Sequence, residues 1–181
     1  MTLDDQAVPA GAVIAALDLA PHPEGGFYRE TWRDRPADGS RGAGTAILFL
    51  LRAGDVSHWH RVDAAELWHF HAGAPLRLGL SPDGATQHSV LLGLDLGAGQ
   101  HPQRMVPAGC WQSAVSLGAW TVVGCTVSPA FRFEGFELAP PGWRPGATLP
   151  RGEQAATGDQ GCRQQDGPAE GRDTGQHQHQ R

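Results

Sequence analysis

Ser57-His58-Trp59-His60-Arg61-Val62, followed closely by Glu66-Leu67-Trp68-His69-Phe70-His71 and Gly73, is the stretch on which the reading of this chain turns. It sets two histidines two residues apart and places a carboxylate six residues beyond the second. In a β-strand, residues i and i+2 share a face. The spacing therefore puts His58 and His60 side by side, about 6.8 Å apart along the strand. If Glu66 opens the next antiparallel strand, its carboxylate meets them across the ladder. Two imidazoles and one carboxylate on one face make a divalent-metal set.

The bulk properties bound what surrounds that set. A length of 181 residues suits one domain with some chain left over, and 40% hydrophobic residues suffice for a core. The net charge of −5, with no basic stripe, argues against a nucleic-acid partner. The longest apolar run, Ala46 to Leu51, is too short to span a bilayer. The N-terminus lacks the basic and apolar regions of a signal peptide. Three cysteines, at 110, 125 and 162, form no C-x-x-C pair and suit free thiols in the cytoplasm. The 25 glycines and 14 prolines suit short strands joined by tight turns.

Outward from the motif, the periodicity predicts one helix and then strands. Val13, Ile14 and Leu17 fall at helical spacing between Pro9 and Leu19, with Pro21 and Pro23 as the expected stop. Strands are predicted over 27–33, 45–52, 56–62, 66–71, 76–80, 87–92, 103–106, 111–116, 119–127 and 131–138, with a turn at Ser81-Pro82-Asp83-Gly84 and a loop over 93–100. About ten short strands without a second helical pattern point to an all-β sandwich or barrel. The expected division is an N-terminal helix over 1–20, a β domain over 21–145 and a disordered tail over 146–181. Residues 151–181 hold no Leu, Ile, Val, Phe, Met, Trp or Tyr, too little apolar area to offset the entropy of ordering. His177 and His179 read as part of a solvated tail.

Several blocks resemble a known family. His58-x-His60, Glu66 and Gly73 look like the first cupin motif, and Pro107-Ala108-Gly109-Cys110-Trp111-Gln112 looks like the second. More closely, the chain is similar to the DUF985, or Cupin_5, family. The similarity lies in His22 to Glu30, Ser57 to Leu76, Leu92 to Asp95, Gly99 to Gln103, Val106 to Gln112, and Val123 to Pro129 with Phe131, Phe133 and Phe136 to Ala139. It covers about residues 19–140. The resemblance implies a double-stranded β-helix (an RmlC-like jelly roll), often a homodimer, with a ligand pocket inside the barrel. It does not supply a reaction. Gln112 stands where metal cupins carry His, and the interval from His60 to Glu66 is one residue longer than the commonest cupin pattern.

The expected site follows. His58, His60 and Glu66 are the candidate ligands of a divalent metal, which could be iron, manganese, nickel or zinc; a metal-free hydrogen-bonded pocket is the other reading of the same residues. His60 and Glu66 are the candidate catalytic pair, with His60 as general base and Glu66 orienting it. Trp68 and Phe70 share the Glu66 face, as pocket wall or as core. Gln103 and Gln112 are expected to face the interior or rim. Arg29 would hold an anionic group, with Glu30 beside it; an Arg–Glu pair across strands is the plainer reading. Glu24-Gly25-Gly26 reads as a close backbone approach or an unusual turn. The functions in view are a small-molecule-binding cupin with metal-assisted chemistry, a metal-free isomerase or epimerase acting on a sugar nucleotide, and a non-catalytic sensor or storage protein.

Overall fold

The computed structural model describes residues 7–147. Helix α1 runs over Ala10–Leu17 with Pro9 at its N-cap, where a missing N–H costs nothing. It stops earlier than the prolines require. Asp18 turns left-handed at φ 54°, and the Leu19 N–H reaches back to the Ile14 carbonyl at 3.0 Å. This wrapped end satisfies free carbonyls of the last turn. Val13, Ile14 and Leu17 pack on Leu50, Ala72, Trp120 and Val122, and the Trp120 indole donates to the Val8 carbonyl at 2.7 Å. The helix thus covers the back of a sheet.

Twelve strands follow: β1 (Ala20–Pro21), β2 (Phe27–Arg33), β3 (Thr45–Arg52), β4 (Val56–Val62), β5 (Ala65–Gly73), β6 (Leu76–Ser81), β7 (His88–Leu92), β8 (Gln100–His101), β9 (Gln103–Val106), β10 (Trp111–Ser116), β11 (Trp120–Ser128) and β12 (Phe136–Leu138). They form two six-stranded sheets, ordered β1-β2-β3-β11-β5-β9 and β12-β4-β10-β6-β7-β8. Inward side chains of both sheets meet in one core. Phe49, Leu51, Trp68, Val123 and Cys125 come from the first sheet; Leu76, Leu78, Leu80, Leu92 and Ala114 come from the second. The predicted all-β, cupin-like jelly roll is therefore the fold.

Two segments differ from expectation. Of the strand expected over 131–138, only β12 pairs, against β4. Phe133–Gly135 is a 3-10 turn, and Phe131, Phe133 and Phe136 gather with ring centroids 5.1–6.5 Å apart. The loop over 93–100 contains a 3-10 turn at Leu96–Ala98, capped by the Asp95 carboxylate, and leads into β8, parallel to β7. Within the segment expected to be disordered, Gly146 still bonds the Gly84 carbonyl at 2.9 Å. The rest of that expectation, with His177, His179 and Cys162, lies outside the described residues.

Candidate functional site

Strand β4 does not hold the alternation its sequence suggests. Gln112 of β10 pairs with His60, and Ala114 pairs with Ser57. One residue on β10 thus opposes two on β4, His58 and Trp59. This is a β-bulge, which resets the facing of every residue on its far side. Ser57 and His60 both turn inward, 0% and 2% exposed. Trp59 joins Trp111 and Trp143 in a separate aromatic cluster. His58 sets its Nε2 3.0 Å from the Pro140 carbonyl, away from the cavity lining. The expected convergence of His58 with His60 and Glu66 is corrected accordingly.

The place expected for His58 is taken by Glu24. The turn from His22 to Gly26 closes with paired backbone bonds of 3.0 Å between His22 and residues 25 and 26. Gly25 adopts φ +108°, and a Cβ there would lie 2.2 Å from the Val56 carbonyl oxygen. Only glycine permits so close an approach to β4. The result is a carboxyl group driven inside, 8% exposed, with its Oε1 receiving the Ser57 hydroxyl at 2.9 Å. Its Oε2 lies 3.3 Å from His60 Nε2. Burial raises the Glu24 pKa to about 8, against the opposing effect of the Ser57 bond.

Hydrogen bonds fix the tautomers. His60 Nδ1 lies 2.8 Å from the His58 carbonyl oxygen, which can only accept. Nδ1 therefore carries hydrogen, and Nε2 is the nitrogen that faces Glu24. The orienting partner is a backbone carbonyl, where the sequence reading had Glu66. Burial lowers the His60 pKa, with the Glu66 charge and the carbonyl bond opposing. In His22, Nδ1 accepts the Glu24 backbone N–H at 3.3 Å, which leaves hydrogen on Nε2. Burial, then the charge of His60, lower the His22 pKa to about 4, so the ring is neutral at pH 7.

Glu66 and Gln112 link the two sheets. The Trp68 indole N–H donates to Gln112 Oε1 at 2.9 Å, and Gln112 Nε2 donates to Glu66 Oε2 at 2.5 Å. The amide supplies an acceptor for the indole and a donor for the carboxyl group from one uncharged side chain. Burial raises the Glu66 pKa and pushes the thiol of Cys125, its hydrogen-bond partner, well up, so Cys125 is no nucleophile.

These groups open on a cavity of about 90 Å³. Its polar wall includes His22, Glu24, His60 and Glu66, with Tyr28 and Glu30 from β2; its apolar wall includes Ile47, Val62, Val127 and three phenylalanines, 131, 133 and 136. Of the expected residues, His60, Glu66 and Glu30 line it. Trp68 and Gln112 are buried beneath it, and Phe70 packs into the core. Arg29 is exposed on the opposite face of β2 from Tyr28 and Glu30, because strand alternation sends it outward. Gln103 is exposed and bonds His69 Nδ1 at 3.1 Å, on the outer face. The pocket roles expected of Arg29, Gln103 and Phe70 are corrected on that account.

Sequence reasoning missed His22, Glu24, Tyr28 and Arg33 as site residues. The signal available was Glu24-Gly25-Gly26, read as a close approach without its carboxylate. Arg33 gives Nε and Nη2 to Glu30 and Nη1 to the Phe131 carbonyl at 2.8 Å, so the cation at the cavity edge is committed.

The expected metal set does not fit this arrangement. His58 is anchored elsewhere, Glu66 Oε2 is held by Gln112, and His60 Nε2 is directed at Glu24. Among the described residues, no three His, Cys, Asp or Glu side chains are grouped to hold a metal ion. Also among them, no helix is long and apolar enough to cross a membrane.

Comparisons with known proteins place this site in its family. The X-ray structure of a protein from Shewanella oneidensis is 46% identical, with a TM-score of 0.68, over 72% of this chain and 84% of that one. A hypothetical protein from Leishmania major is 32% identical, with a TM-score of 0.64, over 71% and 86%. Oxalate decarboxylase from Bacillus subtilis is 14% identical, with a TM-score of 0.52, over 65% of this chain and 29% of that one; this likeness shows the fold alone. No protein with a curated description matches. The pattern of the cupin superfamily family DUF985 (Cupin_5) matches residues 11–139, and the chain belongs to that family.

Proposed function

We propose that the cavity binds a small polar molecule with an apolar flank and moves a proton at it by acid–base chemistry. The observation that supports this is the buried Glu24–His60 pair. With His60 Nδ1–H held by the His58 carbonyl, the pair has two proton sites facing each other, Glu24 Oε2 and His60 Nε2. Below about pH 8 Glu24 is the neutral member. It can lend its proton to a ligand oxygen, while the bare Nε2 offers a place for a proton to return. Glu66 is a second buried carboxyl group on the same wall, steadied by Gln112. Perturbed carboxyl and imidazole groups converging on a cavity are a common mark of such sites.

The reading is metal-free, because the donor set expected for a metal is not assembled. It keeps the isomerase class of reaction and argues against a sugar nucleotide as substrate. A diphosphate needs a free cation, and Arg33 is committed to Glu30 while Arg29 faces outward. A sensor or storage protein would use the same cavity without turnover. Assembly as a homodimer belongs to the proposal, and a light-scattering mass of the full chain tests it.

A ligand-observed NMR screen of neutral and anionic small molecules against the full chain tests the proposal. Hits are expected to be neutral, to be lost in His60→Ala, and to change affinity between pH 6 and 9 in the wild type but not in Glu24→Gln. Hits that survive His60→Ala and ignore pH would overturn it.

A further inference from the structure

His22 has a part that the Glu24–His60 pair does not explain. Its side chain is 10% exposed and lines the cavity. Its Nδ1 accepts the Glu24 N–H, so its hydrogen sits on Nε2. Among the described residues no protein group accepts from Nε2. The ring cannot easily swing to find one. Tyr28 meets it edge-on at 4.5 Å between centroids, and Phe49 meets it at 5.8 Å. The ring lines the cavity, so this N–H is open to an acceptor that enters there.

Building on the pocket proposed above, we infer that His22 Nε2–H binds the oxygen of a neutral carbonyl compound and polarises it while the Glu24–His60 pair handles the proton. Three observations select this ligand class. First, the ring is neutral, held so by burial and by His60, so it is a hydrogen-bond donor without a charge to attract an anion. Second, the cation at the cavity edge, Arg33, is committed to Glu30, so a carboxylate or phosphate would find no free cation there to pair with. Third, the neutral Glu24 carboxyl group is a second donor on the same wall. A carbonyl oxygen has two lone pairs and no hydrogen, and so can accept from both. The facing phenylalanines provide for an alkyl or aryl flank.

The chemistry this permits is proton removal beside the carbonyl. The adjacent C–H bond breaks, its proton passes to the Glu24–His60 pair, its electron pair forms a carbon–carbon double bond, and the carbonyl π pair moves onto oxygen. The hydrogen bond from His22 strengthens as that oxygen gains charge, the condition for a donor to accelerate a step. A neutral imidazole facing a carbonyl has a precedent in another fold, where a lowered histidine pKa serves the same end. Return of the proton to the other face of the same carbon would complete an epimerisation without oxidant or cofactor.

The test uses the full chain and 2-hydroxyacetophenone carrying ¹³C at its carbonyl. The infrared carbonyl band of the bound probe is expected to move to lower frequency in the wild type. His22→Phe, which keeps a ring against Tyr28 but removes the donor, should abolish the shift and weaken binding about tenfold, the effect of one ordinary hydrogen bond. His22→Gln restores an N–H and should restore part of the shift. Nitrogen NMR of the wild type, which depends on no variant, should show His22 protonated at Nε2 and bare at Nδ1. An unshifted band on bound probe, a shift that persists in His22→Phe, the opposite tautomer, or no binding at 10 mM would each overturn the inference. Binding with an unshifted band that still depends on Glu24 would leave the acid–base pocket standing and remove only His22 from it.

Discussion

Strands β4 and β5 carry the two halves of the same motif, yet they treat their side chains differently. On β5 the alternation survives from Glu66 to Phe70 and breaks only beyond it, at an irregularity over His71. Glu66, Trp68 and Phe70 all face inward, matched against Val127, Cys125 and Val123 of β11. On β4 it fails at His58 and Trp59, where the bulge gives one histidine to the cavity and the other to Pro140. Neighbouring chain decides the difference. The Glu24 turn bonds the His58 N–H at 2.8 Å, and Ala139 bonds the Trp59 carbonyl at 2.8 Å. Both contacts come from segments far from β4 in sequence. A pattern of period two thus forecasts facing only where the pairing strands are themselves regular.

Experiments on the two strands can break this contrast or sharpen it. The largest effect is expected at β5. Trp68→Ala removes a side chain 1% exposed and strips Gln112 of its donor, and should cost about 3–5 kcal/mol in denaturant unfolding. A cost under about 1 kcal/mol would mean that β5 is not the rigid half. Next is the link between the sheets. Gln112→Leu orphans the Trp68 N–H and one oxygen of Glu66, at about 1–3 kcal/mol for each group left unsatisfied. Gln112→Glu, which keeps an acceptor for Trp68 but sets two carboxyl groups together, should also destabilise, and more so as pH rises.

The pH dependence of stability separates the Glu24 turn from the rest. Glu24 has its pKa raised by folding from 4.5 to about 8. The folded state then holds the proton that the unfolded state has lost, so stability falls as pH rises through that window. His22 has its pKa lowered from 6.5 to about 4, so its contribution is lost as pH falls from 6.5 to 4. The two oppose each other between 4.5 and 6.5. Above 6.5 only the buried carboxyl groups remain. Thermal melts should therefore decline from pH 6.5 to 8 in the wild type and decline less in Glu24→Gln; equal slopes would remove Glu24 from the interior. The smallest effect is expected at the other half of β4. His58→Ala should change stability by no more than about 1 kcal/mol, the worth of its bond to Pro140, and leave ligand affinity alone. Loss of ligand binding in His58→Ala would contradict the bulge.

Much of the fold is legible along the chain. Leu76, Leu78 and Leu80 alternate with Arg77 and Gly79, and the structure buries the three leucines and exposes Arg77. The strands over 27–33, 45–52, 56–62, 103–106 and 111–116 fall where the periodicity sets them. The stop of α1 was less readable, because a left-handed aspartate ended it before any proline could. Phe131 and Phe133 read as strand because aromatic residues favour strands, but their rings cluster on one another and on Phe136. At the site, His60 and Glu66 were readable from spacing. Arg29 is the residue where two signals disagree: an arginine near a glycine pair suggests anion binding, whereas its strand parity turns it outward.

The sequence by itself determined an all-β cupin architecture, an interior carrying His60 and Glu66, and the glycine pair that lets the 22–26 turn press against β4. These are consequences of residue type and local period, which act over a few residues. Only the tertiary structure decided that Glu24 replaces His58 inside, that Gln112 bridges Trp68 to Glu66, and which nitrogen of His22 and of His60 carries hydrogen. Those outcomes depend on which backbone carbonyls and N–H groups arrive from distant strands, and no local pattern encodes that arrival.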